Sequence, residues 1–317
     1  MRKAIKNTIS VIVLVLLIAL AVYYFINNLQ GFNDLEFVNP LLIIPLFLIV
    51  IVIAVLNGIV IKYLIEPFNI KLAVKEWFGL SVITSFYNTI TPFRGGMIAK
   101  AAYLKKEHNF SYTNFLASLA GSYVIMFFAA SLIGLVSLVL IYLYARIFNY
   151  ILLLIFLAFF VPLLIIIIFS PKFKETKSNF VNRFIRVMNG WNLIKDNKKV
   201  IFILSLISVV TFLLSTIATM FYYNVFGITI MFYSALYLVA IGTLGSLFQI
   251  TPANLGIAEA IAVFSALVIG IEPTQSIPVA ILSRAVSMIV IFILGPIFSY
   301  VLMKDTSKKE KSNKRKK

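Results

Sequence analysis

Two stretches constrain this chain more than any other: Ile90-Thr91-Pro92-Phe93-Arg94-Gly95-Gly96 and Ile250-Thr251-Pro252-Ala253-Asn254-Leu255-Gly256. Both open on Ile-Thr-Pro, both reach a glycine four residues after the proline, and both lie inside strongly apolar sequence. Proline removes a backbone donor and ends a helix, while glycine permits a turn that a side chain would strain. The Gly95-Gly96 pair is therefore expected to turn the first stretch. At membrane depth such a break survives only where it is buried in protein or lines a wet cavity. We read the stretches as two copies of one broken-helix device, with Pro92, Gly95, Gly96, Pro252 and Gly256 as its break residues. The plainer alternative is two ordinary spans kinked by proline and glycine.

Composition sets the class. The chain is 62% hydrophobic and 12% charged, with a mean hydropathy of +1.03, outside the range of soluble domains. Several apolar runs reach the roughly 20 residues needed to cross a bilayer as helix. The expected fold is all-α, a polytopic helical membrane bundle of about six full spans plus two re-entrant helix pairs in inverted repeats. One domain, 1–303, is expected, with halves of about 1–145 and 146–303. There are no cysteines, so thiolate metal sites and cysteine nucleophiles are excluded. The single histidine, His108, is read as a solvated helix end rather than a metal ligand, and no metal or cofactor is expected.

In chain order, spans are expected over 8–26 and 41–61. A short arm, 77–90, meets the first break, and a second short helix, 97–104, returns to the same side. Ser111 offers an N-cap for a long helix ending near Tyr144, and a span over 147–169 carries Pro162. Within the polar segment 171–199, Phe180, Phe184, Val187, Met188, Trp191 and Ile194 recur at helical spacing. That pattern describes either a helix in the headgroup layer or one packed under the bundle. A span over 200–225, the second broken pair (231–250 and 253–270) and a last span over 278–303 follow. The basic tail, 304–317, is expected to be a disordered charge run.

Charge placement gives topology. All the cations but Arg94, Lys100, Arg146 and Arg284 fall on one face of this arrangement, and the other face shows Asp34, Glu36 and Glu272. The positive-inside rule then places both termini in the cytoplasm of a multi-pass cell-membrane protein. A net charge of +17 suits anionic membrane lipid better than nucleic acid. Charges at membrane depth cost at least about 2.5 kcal/mol, so Arg94, Lys100, Glu259 and Arg284 are the candidate substrate-binding residues. Arg94 precedes the amides that open the following helix, which suits an anion. Lys100 either reaches the same site or snorkels to the interface. Glu259 is expected to pair with Arg284 or Arg94, as a switching partner or as a static staple.

At these residues the sequence resembles the lysylphosphatidylglycerol synthase transmembrane, or flippase-like, family. Pro92, Arg94 and Gly96 match its Pro-x-Arg-x-Gly; Pro252, Gly256 and Glu259 match its Pro-x-x-x-Gly-x-x-Glu; Arg284 matches an arginine in its last span. The resemblance covers nearly the whole chain. One departure is Met97, where the family usually has glutamate. The resemblance implies movement of modified phospholipids, or of isoprenoid-linked or glycosylated lipids, between leaflets. The expected partners are lipids with anionic headgroups, and catalysis is not expected. The alternative is a non-transporting accessory for a lipid- or glycan-modifying enzyme.

Overall fold

The computed structural model describes residues 36–170, 172–176, 182, 185, 189, 191–192 and 194–315, with backbone alone from 305. The expected span over 8–26 lies outside the described residues. Nine α-helices and no strand occur among those described: α1 (Ile43–Ile65), α2 (Val74–Ile90), α3 (Gly95–His108), α4 (Tyr112–Ala145), α5 (Tyr150–Phe169), α6 (Lys198–Val225), α7 (Phe232–Gly245), α8 (Ile257–Val268) and α9 (Pro273–Arg315). Five segments, built on α1, α4, α5, α6 and α9, are long and apolar enough to cross a membrane. The chain is thus a polytopic helical membrane protein.

Local sequence explains the helix ends. Ser111 caps α4 by accepting the Asn114 amide at 3.1 Å, and Asn149 and Asn197 cap α5 and α6 through Leu152 and Val200. Helix α9 does not stop at the expected 303 but continues to Arg315. Lys, Glu and Ser in that tail contain no proline or glycine, so nothing local ends the helix where the apolar sequence ends.

The two halves pack in the same way. Helices α1 and α6 run antiparallel and are pinned at both ends. The Val38 and Asn39 amides donate to the Val225 carbonyl at 2.9 and 3.1 Å, and Lys199 Nζ meets Glu66 Oε1 at 2.9 Å. Exchanging α1 with α6, α2 with α7, α3 with α8 and α4 with α9 carries most of the contacts among these eight helices onto one another, while α5 has no counterpart among the described residues. Thus α1 packs on α2 as α6 does on α7, α4 packs on α7 as α9 does on α2, and α4 touches α6 as α9 touches α1. Because α1 and α6 exchange and run antiparallel, the relation is that of an inverted repeat.

Helices α2 and α3 form a hairpin that enters and leaves on one face. Glu76, in the first turn of α2, accepts hydrogen bonds from Tyr103 Oη and His108 Nε2 of α3, each at 3.1 Å. His108 is thus a half-buried partner of Glu76 rather than a solvated helix end. One buried cluster closes the basic face, and two of its members come from the polar segment: Trp191 and Ile194 are 4% and 1% exposed. Where it is described, that segment packs under the bundle; Phe180, Phe184, Val187 and Met188 lie outside the described side chains. A second cluster, around Leu46, Tyr223 and Ala266, closes the opposite face. Helix α5 joins through α4, where Phe156 (0% exposed) fills the space left by Gly134.

Candidate functional site: two breaks and two cavities

The breaks share a backbone as well as a sequence. Thr91 and Thr251 are extended, a proline follows, and the next two residues of each copy are left-handed: Phe93 and Arg94 at φ 54° and 57°, Ala253 and Asn254 at φ 53° and 56°. Left-handed geometry costs a non-glycine residue about 1–2 kcal/mol, so both copies hold the same strained turn. The copies diverge one residue later. Gly95 begins α3 directly, whereas Leu255 is extended and Gly256 takes φ 81° before α8 starts.

The turn of the first break therefore falls on Phe93 and Arg94 and not on Gly95-Gly96, which are helical. These glycines serve close approach. A Cβ on Gly96 would collide with the Thr84 carbonyl of α2, and one on Gly95 would collide with the Thr91 side chain. The Gly96 amide also donates to Asn88 Oδ1 at 2.9 Å, tying the start of α3 to α2.

The candidate charges do not converge on one point. Arg94 spans the two hairpins: Nη1 donates to Tyr123 Oη of α4 at 2.5 Å, and Nη2 donates to the Ser246 carbonyl just after α7. Glu259 pairs with Arg284, not with Arg94. Its other oxygen accepts the Gly256 amide at 2.7 Å, capping α8. Arg284 Nη1 donates in turn to the Ala253 carbonyl at 3.3 Å. The pair therefore ties the last span to both sides of the second break.

Two cavities flank this core. One, of about 540 Å³, lies between the deep end of α2, the second half of α6, the α7–α8 hairpin and the first half of α9; Glu259, Arg284 and Asn254 line it. Asn254 Oδ1 and Arg284 Nε are buried there without a protein partner. The other, of about 320 Å³, lies among α1, α2, α3, the first halves of α4 and α6, and α7; Lys100, Met97 and Tyr123 line it. The helix exchange carries the first set of walls onto the second, to which α6 is added. Ser85 and Asn88 line both cavities, so α2 is the partition between them.

Lys100 does not snorkel. It is 8% exposed, faces the smaller cavity and sits over the Phe115 ring at 5.7 Å. No ion pair is found for it among the described residues. Sequence reasoning missed the hydroxyl and amide walls. Their signal is readable in hindsight: Ser81, Ser85 and Asn88 on α2, and Ser208, Thr211, Ser215 and Thr219 on α6, repeat every three or four residues along apolar helices, as one helix face does.

No curated protein and no solved structure matches the chain. The family comparison is positive: the model of the lysylphosphatidylglycerol synthase TM region matches residues 7–295. That match takes in both breaks and all four candidate charges, and the chain belongs to the lysylphosphatidylglycerol synthase TM region family.

Proposed function

We propose that the protein is a translocator that carries lipid headgroups bearing phosphate between leaflets of the cell membrane, with its basic face and both termini cytoplasmic. The observation that carries this reading is the pair of pseudo-symmetric cavities, one in each half of the bundle depth, separated by α2 and the two breaks. Cavities at the meeting point of inverted broken-helix repeats are where secondary transporters hold substrate. Lys100 and Arg284 supply cation to the two cavities, and the Glu259–Arg284 pair is placed to open and re-form as a headgroup arrives. Binding and release, rather than catalysis, suit a site whose one deep carboxylate is held on both oxygens.

The test is leaflet exchange of fluorescent phospholipids in liposomes carrying the purified protein, comparing wild type with Glu259→Ala and Lys100→Ala. Protein-dependent exchange that falls in both variants supports the reading. Exchange equal in all three proteins makes those charges structural. No exchange with any headgroup favours an accessory role beside a lipid-modifying enzyme.

A further inference from the structure

Of the four candidate charges, Arg94 is the one that lines neither cavity. Its two hydrogen bonds instead join their walls. Tyr123, which accepts from Nη1, belongs to the wall of the smaller cavity. Ser246, whose carbonyl accepts from Nη2, belongs to the wall of the larger. The guanidinium also lies 5.6 Å from the centre of the Tyr123 ring. Arg94 thus fastens the start of α3 to the end of α7, close to the Gly96–Asn88 bond on the partition between the cavities.

The second copy makes no equivalent tie. The offset that carries Pro92 onto Pro252 also carries Ile65, the last residue of α1, onto Val225, the last of α6. It sets Asn254, Ser283 and Phe86 opposite Arg94, Tyr123 and Ser246. Asn254 has a much shorter side chain, and its Oδ1 has no protein partner. Ser283 gives its proton to the Ala280 carbonyl at 2.9 Å. Among the described residues, the two hairpins are therefore hydrogen-bonded to each other by a side chain from one copy only.

The chemistry of that tie suits release. Opening the Glu259–Arg284 pair exposes two bare charges at depth unless a ligand compensates them. Arg94 holds neutral acceptors, a hydroxyl and a carbonyl, and no ion pair is found for it among the described residues. Oxygens of water or of a headgroup can replace a neutral acceptor without leaving an unpaired charge behind.

Resting on the translocator reading, we propose that Arg94 is a latch between the cavities. While it holds Tyr123 and the Ser246 carbonyl the cavities stay separate, and it lets go for a headgroup to pass from one to the other.

The chain has no cysteine, so a single introduced thiol reports its own surroundings. Gly242 lines the larger cavity, and a side chain there meets nothing within 4 Å; Ser208 lines the smaller. Ser208→Cys and Gly242→Cys are each exposed to a membrane-impermeant thiol reagent in sealed liposomes that carry the protein with its basic face outward. With Arg94 intact, Ser208→Cys reacts and Gly242→Cys is protected. Adding Arg94→Ala speeds labelling of Gly242→Cys at least about tenfold, the scale of one hydrogen bond to a charged group. Tyr123→Phe removes one of the two bonds with little change of shape; it speeds labelling by less and decides the matter if Arg94→Ala does not fold. Glu76→Gln loosens the first hairpin at its other end, away from both cavities, and leaves labelling unchanged. The inference is overturned by the absence of acceleration in either latch variant, by an equal acceleration in Glu76→Gln, or by Gly242→Cys reacting as fast as Ser208→Cys with Arg94 intact. Labelling needs no lipid movement. A latch signature in a protein without leaflet exchange leaves the latch standing and removes the translocator reading; wild-type exchange with labelling indifferent to Arg94 does the reverse.

Discussion

Replacing Gly96 by alanine puts the close approach of α2 and α3 to a direct test. An added Cβ would run into the Thr84 carbonyl and lie 2.8 Å from Asn88 Oδ1. The carbonyl belongs to a helix backbone and has no rotamer by which to retreat, so the start of α3 must move away from α2. Overpacking of this kind costs about 1–3 kcal/mol, and losing the Gly96–Asn88 hydrogen bond adds about 1 kcal/mol. Alanine's better helix propensity returns up to about 1 kcal/mol, leaving a net loss of about 1–3 kcal/mol. Gly242→Ala is the internal control. A Cβ there meets nothing within 4 Å, so only the propensity gain of about 0.5–1 kcal/mol remains and the variant is stabilised. Thermal and denaturant unfolding of both variants in one detergent measures the difference. A Gly96→Ala protein as stable as Gly242→Ala would refute the claim that this glycine exists for helix–helix contact.

Three further outcomes follow. Glu259→Gln and Arg284→Gln each destabilise, the double variant loses less than their sum, and a double-mutant cycle in denaturant returns a coupling of about 1–3 kcal/mol. Ala253→Gly, at a left-handed position, costs nothing or stabilises, whereas Ala258→Gly inside α8 costs about 0.5–1 kcal/mol by the same assay. Burial pushes the Glu76 carboxyl up, but the Ala73 amide, the His108 charge and the Tyr103 and His108 hydrogen bonds outweigh it and hold the group below its ordinary 4.5. A depressed carboxyl contributes stability above its unfolded pKa and loses it as pH falls through the folded one. The stability gap between wild type and Glu76→Gln is therefore present at neutral pH and closes on acidification below about 4.5, as read by thermal midpoints across pH.

What the sequence revealed and what it hid divide along the range of the interactions. Ser111, Pro92 and the Ile-Thr-Pro repeat act on their immediate neighbours, so helix ends, breaks and the internal duplication were legible. Gly95-Gly96 were misassigned because a glycine that makes a turn and one that admits a neighbouring helix look alike until the neighbour, here Thr84, is placed. Glu259 had two plausible arginine partners in sequence, and only the packing of α8 on α9 chose Arg284 over Arg94. His108 and Glu76 are 32 residues apart, with no local signal joining them. The tail was misread because its lysines suggest solvation, while helix continuation depends on what precedes them in α9.

The exchange symmetry of the packing has an energetic consequence. If a bundle's contacts map onto themselves when its halves trade places, a conformation open to one side and its mirror open to the other are built from equivalent contacts and are nearly degenerate. Their free-energy difference is then carried by the positions where the halves disagree. At the breaks the charged disagreements are three: Arg94 stands where the second copy has Asn254, Lys100 where it has Ala260, and Glu259 where the first copy has Ala99. On the translocator reading, these ionic groups are among the positions that set the balance between the two openings, so a single charge substitution there is expected to tilt it.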